Sequence, residues 1–533
     1  MMKIRIFITL LFFTLLPFTV LGQQTGKWGD QGNGTYINPV IPADFSDLDA
    51  IRVGDDFYAI SSTMQYSPGM AVLHSRDLVN WKIISHVVSD LTQISPDLNW
   101  NKMDSYGKGI WAGAIRYYKG KFWVYFGTPD DGFFMSTAEN AAGPWTPLHQ
   151  VWKVSGWDDC CPFCDDDGQL YFMATNFEND PKNNRKYNIH LFKMPPDGKS
   201  LLMESDSIIH QSPGSEANKL FKINGFYYHL FSEVKAEGRV LMMKRSKNIL
   251  GPWETRQLNH VNKALDKEPN QGGLIQLTSG RWYFFTHHGT GDWEGRAASL
   301  LPVTWLDGWP VIGEPGKDSI GSMVWKAPKP INIPNIEKGK SANDDFNVQV
   351  LQPQWEWNYQ PRADKWSLTE HKGCLRLHAF MPVNQTGGNI LLKAGNMITQ
   401  RSFRTASCEV TIKLDIRGMC NGGHAGLTHF STAGTSCIGI KQFDSSRYLT
   451  YTSENKDSIG PAVKDNMVWL RSVWDFQGIN RFFYSVDGKL FLPFGAKNQL
   501  TWGSYRGDRI GIFNFNTAQE CGFVDIDFFR YKY

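Results

Sequence analysis

At 533 residues the chain is too long for one hydrophobic core, so two or three domains are expected. A net charge of +3, with 20% of residues charged, points to neither nucleic acid nor an anionic membrane surface as a partner. Aromatic residues make up 14%, including 20 Trp, a share that suits β-rich packing and also offers flat faces to sugar rings.

The chain opens with Lys3 and Arg5, an apolar run from Ile6 to Leu21, and then Gly22, Gln23 and Gln24. A charged start, an apolar stretch and a small-residue boundary make a secretory signal, so residues 1–22 are expected to be removed near Gly22. The run is short for a bilayer span, and no transmembrane anchor is expected. The expected location is the periplasm or the extracellular space.

Residues 30–326 read as short strands separated by turn residues, with no long amphipathic helix. Five aromatic strands recur, marked by Tyr58, Trp123, Tyr171, Tyr228 and Tyr283. Eleven or twelve residues before each marker stand Asp47, Trp111, Asp159, Glu216 and Gln271. Intervals of 48 to 65 residues between markers accommodate four-stranded blades with their loops. The expected architecture is a five-bladed β-propeller, whose equivalent positions converge on one axis. Trp81, Trp145 and Trp253 follow three of the markers at a distance suited to an outer strand that closes a blade.

A Pro- and Lys-rich stretch at 327–343 reads as a linker. Residues 344–533 resume strand patterning without the marker, as expected for a jelly-roll β-sandwich of the concanavalin A-like, lectin type. The chain as a whole is therefore expected to be all-β. Of eight cysteines, Cys160, Cys161 and Cys164 crowd one strand, and no second pair or His cluster completes a zinc site. Buried free thiols are expected there.

Three of the five converging residues are carboxylates. Cleaving a glycosidic bond requires an acid to protonate the departing oxygen and a carboxylate to activate water or attack carbon, and a third acid can hold the first one protonated. Taken singly, each acid has a plain structural explanation: Asp47 could cap a turn, Asp159 could be a solvated turn residue, and Glu216 could lie on the surface. Asp49 and Asp158 compete as near neighbours for two of the roles. The shared spacing is what joins Asp47, Asp159 and Glu216.

The segments Asn38-Pro39-Val40, Ile51 to Tyr58, Ser75 to Trp81, Gly109-Ile110-Trp111-Ala112, Asp165-Asp166-Asp167-Gly168, Gly214 to Lys219, Asn270 to Gly273 and Pro302 to Pro310 stand in order along the chain. This set resembles family 43 of the glycoside hydrolases, and residues 344–533, with Val524 to Phe529, resemble the sandwich carried by its β-xylosidase and α-L-arabinofuranosidase members. The resemblance implies an inverting hydrolase with Asp47 as general base, Glu216 as general acid and Asp159 tuning and orienting the acid. It implies Arg296 beside the bound sugar, Met64 where relatives place a pocket aromatic, and His288 near the axis, where relatives hold calcium. No cofactor is implied for the chemistry, and the calcium would be structural. Leu48, Cys160 and Gly113 stand where the family usually has proline.

The expected activity is release of a terminal α-L-arabinofuranose or β-D-xylose from plant polysaccharide or its oligosaccharides. An endo-arabinanase and a non-catalytic carbohydrate-binding propeller are the alternatives.

Overall fold

A computed structural model describes residues 26–177, 186–261, 269–288, 292–334, 342–383, 389–454 and 456–533. The segment read as a signal peptide lies outside these, as does 335–341 of the linker. Among the described residues the regular elements are strands and a few short 3-10 helices.

The first part consists of consecutive four-stranded antiparallel sheets, each built in chain order from the innermost strand outward. Their innermost strands are Asp49–Val53, Gly113–Tyr118, Trp157–Cys164, Glu216–Ile223 and Pro269–Gln276. Each packs against the next and the last packs against the first, closing a ring that is a β-propeller. Glycine is required where the ring is tightest. A Cβ on Gly273 would lie 2.4 Å from the Ala50 backbone of the neighbouring sheet, and one on Gly113 would lie 2.7 Å from the Tyr125 carbonyl.

The N-terminal segment fastens the ring. Thr35–Ile37 pairs with Lys326–Pro328, and Asn38 Nδ2 donates to the carbonyls of Leu300 (2.8 Å) and Val324 (2.7 Å). The start of the Pro-rich stretch is thus a strand held to the propeller, and Lys329 Nζ reaches Asp30 at 2.6 Å and Asp77 at 2.8 Å.

The second part is a sandwich of two antiparallel sheets around Trp355, Trp474, Leu427, Ile512 and Phe529, all buried. One of its sheets runs on into the propeller: Tyr66–Ser67, from a loop of the first sheet, pairs with Glu356–Asn358 as an edge strand. Backbone hydrogen bonds therefore cross from one part to the other. Cys420 and Cys521 form a disulfide within the sandwich, a pairing that the spacing of the cysteines did not indicate. Cys160 and Cys161 are buried free thiols and Cys164 is a half-buried one.

Candidate active site

The shared spacing conceals two register positions. The five markers pair across their hairpins with Ile51, Arg116, Phe163, Phe221 and Ile275. Asp47, Asp159 and Gln271 lie four residues before those partners, whereas Trp111 and Glu216 lie five before. Backbone geometry agrees: Asp47 (φ 57°), Asp159 (φ 52°) and Ala217 (φ 66°) share the left-handed region at the first of these positions. The true counterpart of Glu216 in the neighbouring sheet is therefore Asp158, and Asp159 corresponds to Ala217. Irregular pairing between Asp158 and Cys161, and between Glu216 and Lys219, turns this end of each strand toward the axis.

These residues surround a cavity of about 410 Å³. It is lined by Asp47, Asp158, Asp159 and Glu216, by Arg239 and Arg296, and by Trp111, Met64 and Gln271. Every residue expected at the site except His288 faces this space. A larger cleft of about 520 Å³ lies between the N-terminal segment and the sandwich. Its one acidic side chain among the described residues, Asp30, is paired with Lys329, whereas the smaller cavity gathers four.

Asp47 is nearly buried and held from three directions. Arg296 Nη1 lies 2.9 Å from Oδ1, Ser62 Oγ donates to Oδ2 at 2.5 Å, and its own N–H donates to His287 Nδ1 at 2.7 Å. Burial pushes its proton affinity up, but Arg296, His287, Arg506 and the Ser62 hydrogen bond together outweigh burial and hold the carboxyl below its ordinary value. His287 is driven to about 3 by burial and by Arg296, so the ring is neutral and can accept that hydrogen bond.

Glu216 has the opposite character. Burial, reinforced by Asp159 and Asp47, pushes it up to about 7 against the pull of Arg239, whose Nη1 lies 3.0 Å from Oε1. A third of its side-chain surface remains open to the cavity. Asp159 is raised by burial and by Asp47, takes a hydrogen bond from the Ala217 N–H, and receives Gln271 Nε2 at 3.1 Å. Asp158 is raised further still, by burial and then by Asp159.

The aromatic walls come from both parts of the chain. Trp111 is fixed by its Nε1 donating to the Gly107 carbonyl at 2.9 Å and stacks with Phe177 at 6.2 Å. Tyr505, from a sandwich loop, lines the opening, with the Arg296 guanidinium 5.6 Å from its ring and 6.0 Å from that of Trp502. Met64 is buried and joined to Ile110 by paired backbone hydrogen bonds. Sequence reasoning missed Arg239, Tyr505 and Arg506, which carry no local signature.

His288 is buried, bonded through Nε2 to Ser299 Oγ at 2.8 Å and stacked with Trp325. Among the described residues no three His, Cys, Asp or Glu side chains converge as a metal site. One imidazole already engaged in this way is a poor match for oxygen-seeking calcium.

Comparison with known proteins agrees with this constellation. The sequence profile described as "Glycosyl hydrolases family 43" matches residues 36–310, and that of the "Beta xylosidase C-terminal Concanavalin A-like domain" matches 343–532. The chain belongs to glycosyl hydrolase family 43. It is a glycosidase of that inverting family. It is 31% identical to a "Beta-xylosidase" of Formosa agariphila, over 96% of this chain and 92% of that one. It is 33% identical to "Non-reducing end alpha-L-arabinofuranosidase BoGH43B" of Bacteroides ovatus, over 64% of this chain and 65% of that one. Among solved structures, "Bacteroides ovatus Xyloglucan PUL GH43B" superposes with a TM-score of 0.78 at 25% identity, covering 93% of this chain and 99% of the other. The family resemblance read from the motifs therefore holds over both parts of the chain.

Proposed function

We propose that this family 43 enzyme removes a terminal α-L-arabinofuranose or β-D-xylose from plant hemicellulose or its oligosaccharides with inversion. The observation that carries the reading is the opposed proton affinity of two carboxyls on one cavity: Asp47 is held ionised while Glu216 is pushed to about 7. An ionised Asp47 can take a proton from water as that water attacks the anomeric carbon. A protonated Glu216 can give its proton to the departing glycosidic oxygen. Asp159 adds negative charge that keeps Glu216 protonated, and Gln271 fixes its carboxyl. Arg296 holds Asp47 and offers a guanidinium edge to sugar hydroxyls.

Chain-end cleavage is supported by the sandwich loop, which places Tyr505 on one side of the opening where an endo-acting enzyme needs an open groove. The relatives named as β-xylosidase and non-reducing end α-L-arabinofuranosidase support a terminal pentose. The N-terminal pattern of Lys3, Arg5 and Ile6 to Leu21 supports export, which would bring the enzyme to such substrates.

The test is hydrolysis of nitrophenyl α-L-arabinofuranoside and β-D-xyloside, with the anomeric form of the released sugar followed by NMR. Inverted product from either substrate is expected. Retained configuration would overturn the mechanism, and oligosaccharide binding without turnover would leave a carbohydrate-binding propeller as the better account.

A further inference from the structure

The loop that brings Tyr505 to the pocket also carries Arg506. Gly503 and Arg506 exchange two backbone hydrogen bonds of 3.0 Å, and Ser504 (φ 49°) and Tyr505 (φ 62°) stand between them. Two successive left-handed residues form a tight turn that Asn and Gly enter far more readily than Ser and Tyr. Such strain persists where the surroundings over-determine it. Here the turn is wedged in place: a Cβ on Gly503 would meet Thr432 at 2.3 Å, and one on Gly107 would meet Ser504 at 3.1 Å.

Arg506 is wholly buried and crosses from the sandwich to the propeller. Its Nη1 donates to the Ser62 carbonyl at 3.0 Å and pairs with Asp44 Oδ2 at 3.2 Å. Its Nη2 donates to Ser62 Oγ at 3.1 Å and lies 3.9 Å from Asp47 Oδ2. A serine hydroxyl has one hydrogen to give. With Arg506 donating to Ser62 Oγ, that hydrogen is directed to Asp47 Oδ2, 2.5 Å away.

We propose that Arg506 is a positioning residue for the catalytic base, acting through Ser62, and that the C-terminal sandwich is thereby part of the propeller's catalytic apparatus. The inference rests on the hydrolase reading above. A purely structural Arg506 would neutralise Asp44 and seal the interface without affecting the chemistry of Asp47.

The two accounts differ in pH dependence. Asp47 is faced by His287 from the fifth sheet and Arg296 just before one of its strands, by Ser62 just after a strand of the first sheet and by Arg506 from the sandwich. Asp158, Asp159 and Glu216 face it across the cavity. Ser62 and Arg506 favour its ionised form, so removing either contact raises its proton affinity. A protonated base is inactive, and the acidic limb must move to higher pH.

The experiment uses the full chain and both nitrophenyl pentosides. Ser62→Ala removes the hydroxyl and leaves the Arg506–Asp44 pair. Arg506→Lys keeps the charge, but one ammonium cannot reproduce the fork that holds Ser62 and Asp44 together. Each variant is expected to lower kcat by about 10- to 100-fold with little change in KM. Each should raise the acidic limb of kcat/KM by about one pH unit. The double variant should be no worse than the poorer single one, because both break one chain of contacts. Thermal denaturation checks folding, and if Arg506→Lys does not fold, Ser62→Ala decides alone. A Ser62→Ala enzyme with wild-type kcat and acidic limb would overturn the proposal while leaving the hydrolase reading intact. A folded wild type inactive on both pentosides would overturn both.

Discussion

Arg239 Nη1 lies 3.0 Å from Glu216 Oε1, so a fixed positive charge bears on the carboxyl that burial pushes up to about 7. Arg239 is itself anchored by the Gly214 carbonyl at 2.8 Å and by Ser232 Oγ at 3.0 Å. The acid is thereby set between opposing influences: burial, Asp159 and Asp47 raise its proton affinity, and Arg239 and Arg296 lower it. Arg239→Met removes a lowering influence. The general acid must be protonated to work, so the alkaline limb of kcat/KM should move from near 7 to higher pH by about one unit. A pH–rate profile on an unactivated pentoside checks this, and a downward move would contradict the assignment of Glu216 as acid.

Glu216→Ala should separate substrates by leaving group. Oligosaccharides with poor leaving groups need the proton and should lose roughly 10²–10⁴-fold in kcat/KM. Aryl pentosides with activated leaving groups should lose far less. Asp47→Asn should lose roughly 10²–10⁴-fold on both classes, because the single displacement needs activated water whichever group departs. Parallel kinetics on an oligosaccharide and a nitrophenyl pentoside provide the comparison.

Gly127→Ala tests the seat of Asp158. A Cβ there would lie 2.3 Å from Asp158 Oδ1, so the carboxyl must move or the neighbouring sheets must part. Overpacking of this kind costs about 1–3 kcal/mol. A lowered Tm with reduced kcat is expected, because Asp158 adjoins Asp159 and lines the cavity.

Opening the Cys420–Cys521 bridge should affect stability without affecting the site. The bridge spans 101 residues of the sandwich, and neither cysteine lines the catalytic cavity. Replacing both by serine should cost about 2–4 kcal/mol, mainly by freeing the unfolded chain. Urea unfolding should show this loss while kcat on a nitrophenyl pentoside at 25 °C remains that of the parent.

The sequence by itself determined the hairpins, the all-β character and the three acids. Aromatic strands at regular intervals with turn residues between them have few other ways to bury their faces, and carboxylates near the starts of innermost strands must approach the axis when the ring closes. It also revealed the family, through short motifs held at fixed places by local turns. Tertiary structure alone decided which positions are equivalent. Counting along the chain places Glu216 with Asp159, but pairing across the hairpins places it with Asp158, because the two hairpins differ in length by one residue. It alone brought Arg239 to Glu216, Tyr505 to the cavity and Arg506 to within 3.9 Å of Asp47. Spacing records distance along the backbone, whereas an ion pair or a wall of a pocket depends on distance through space. The contacts of Tyr505 and Arg506 arise only when the sandwich docks on the propeller and its tight turn is pressed against the first sheet.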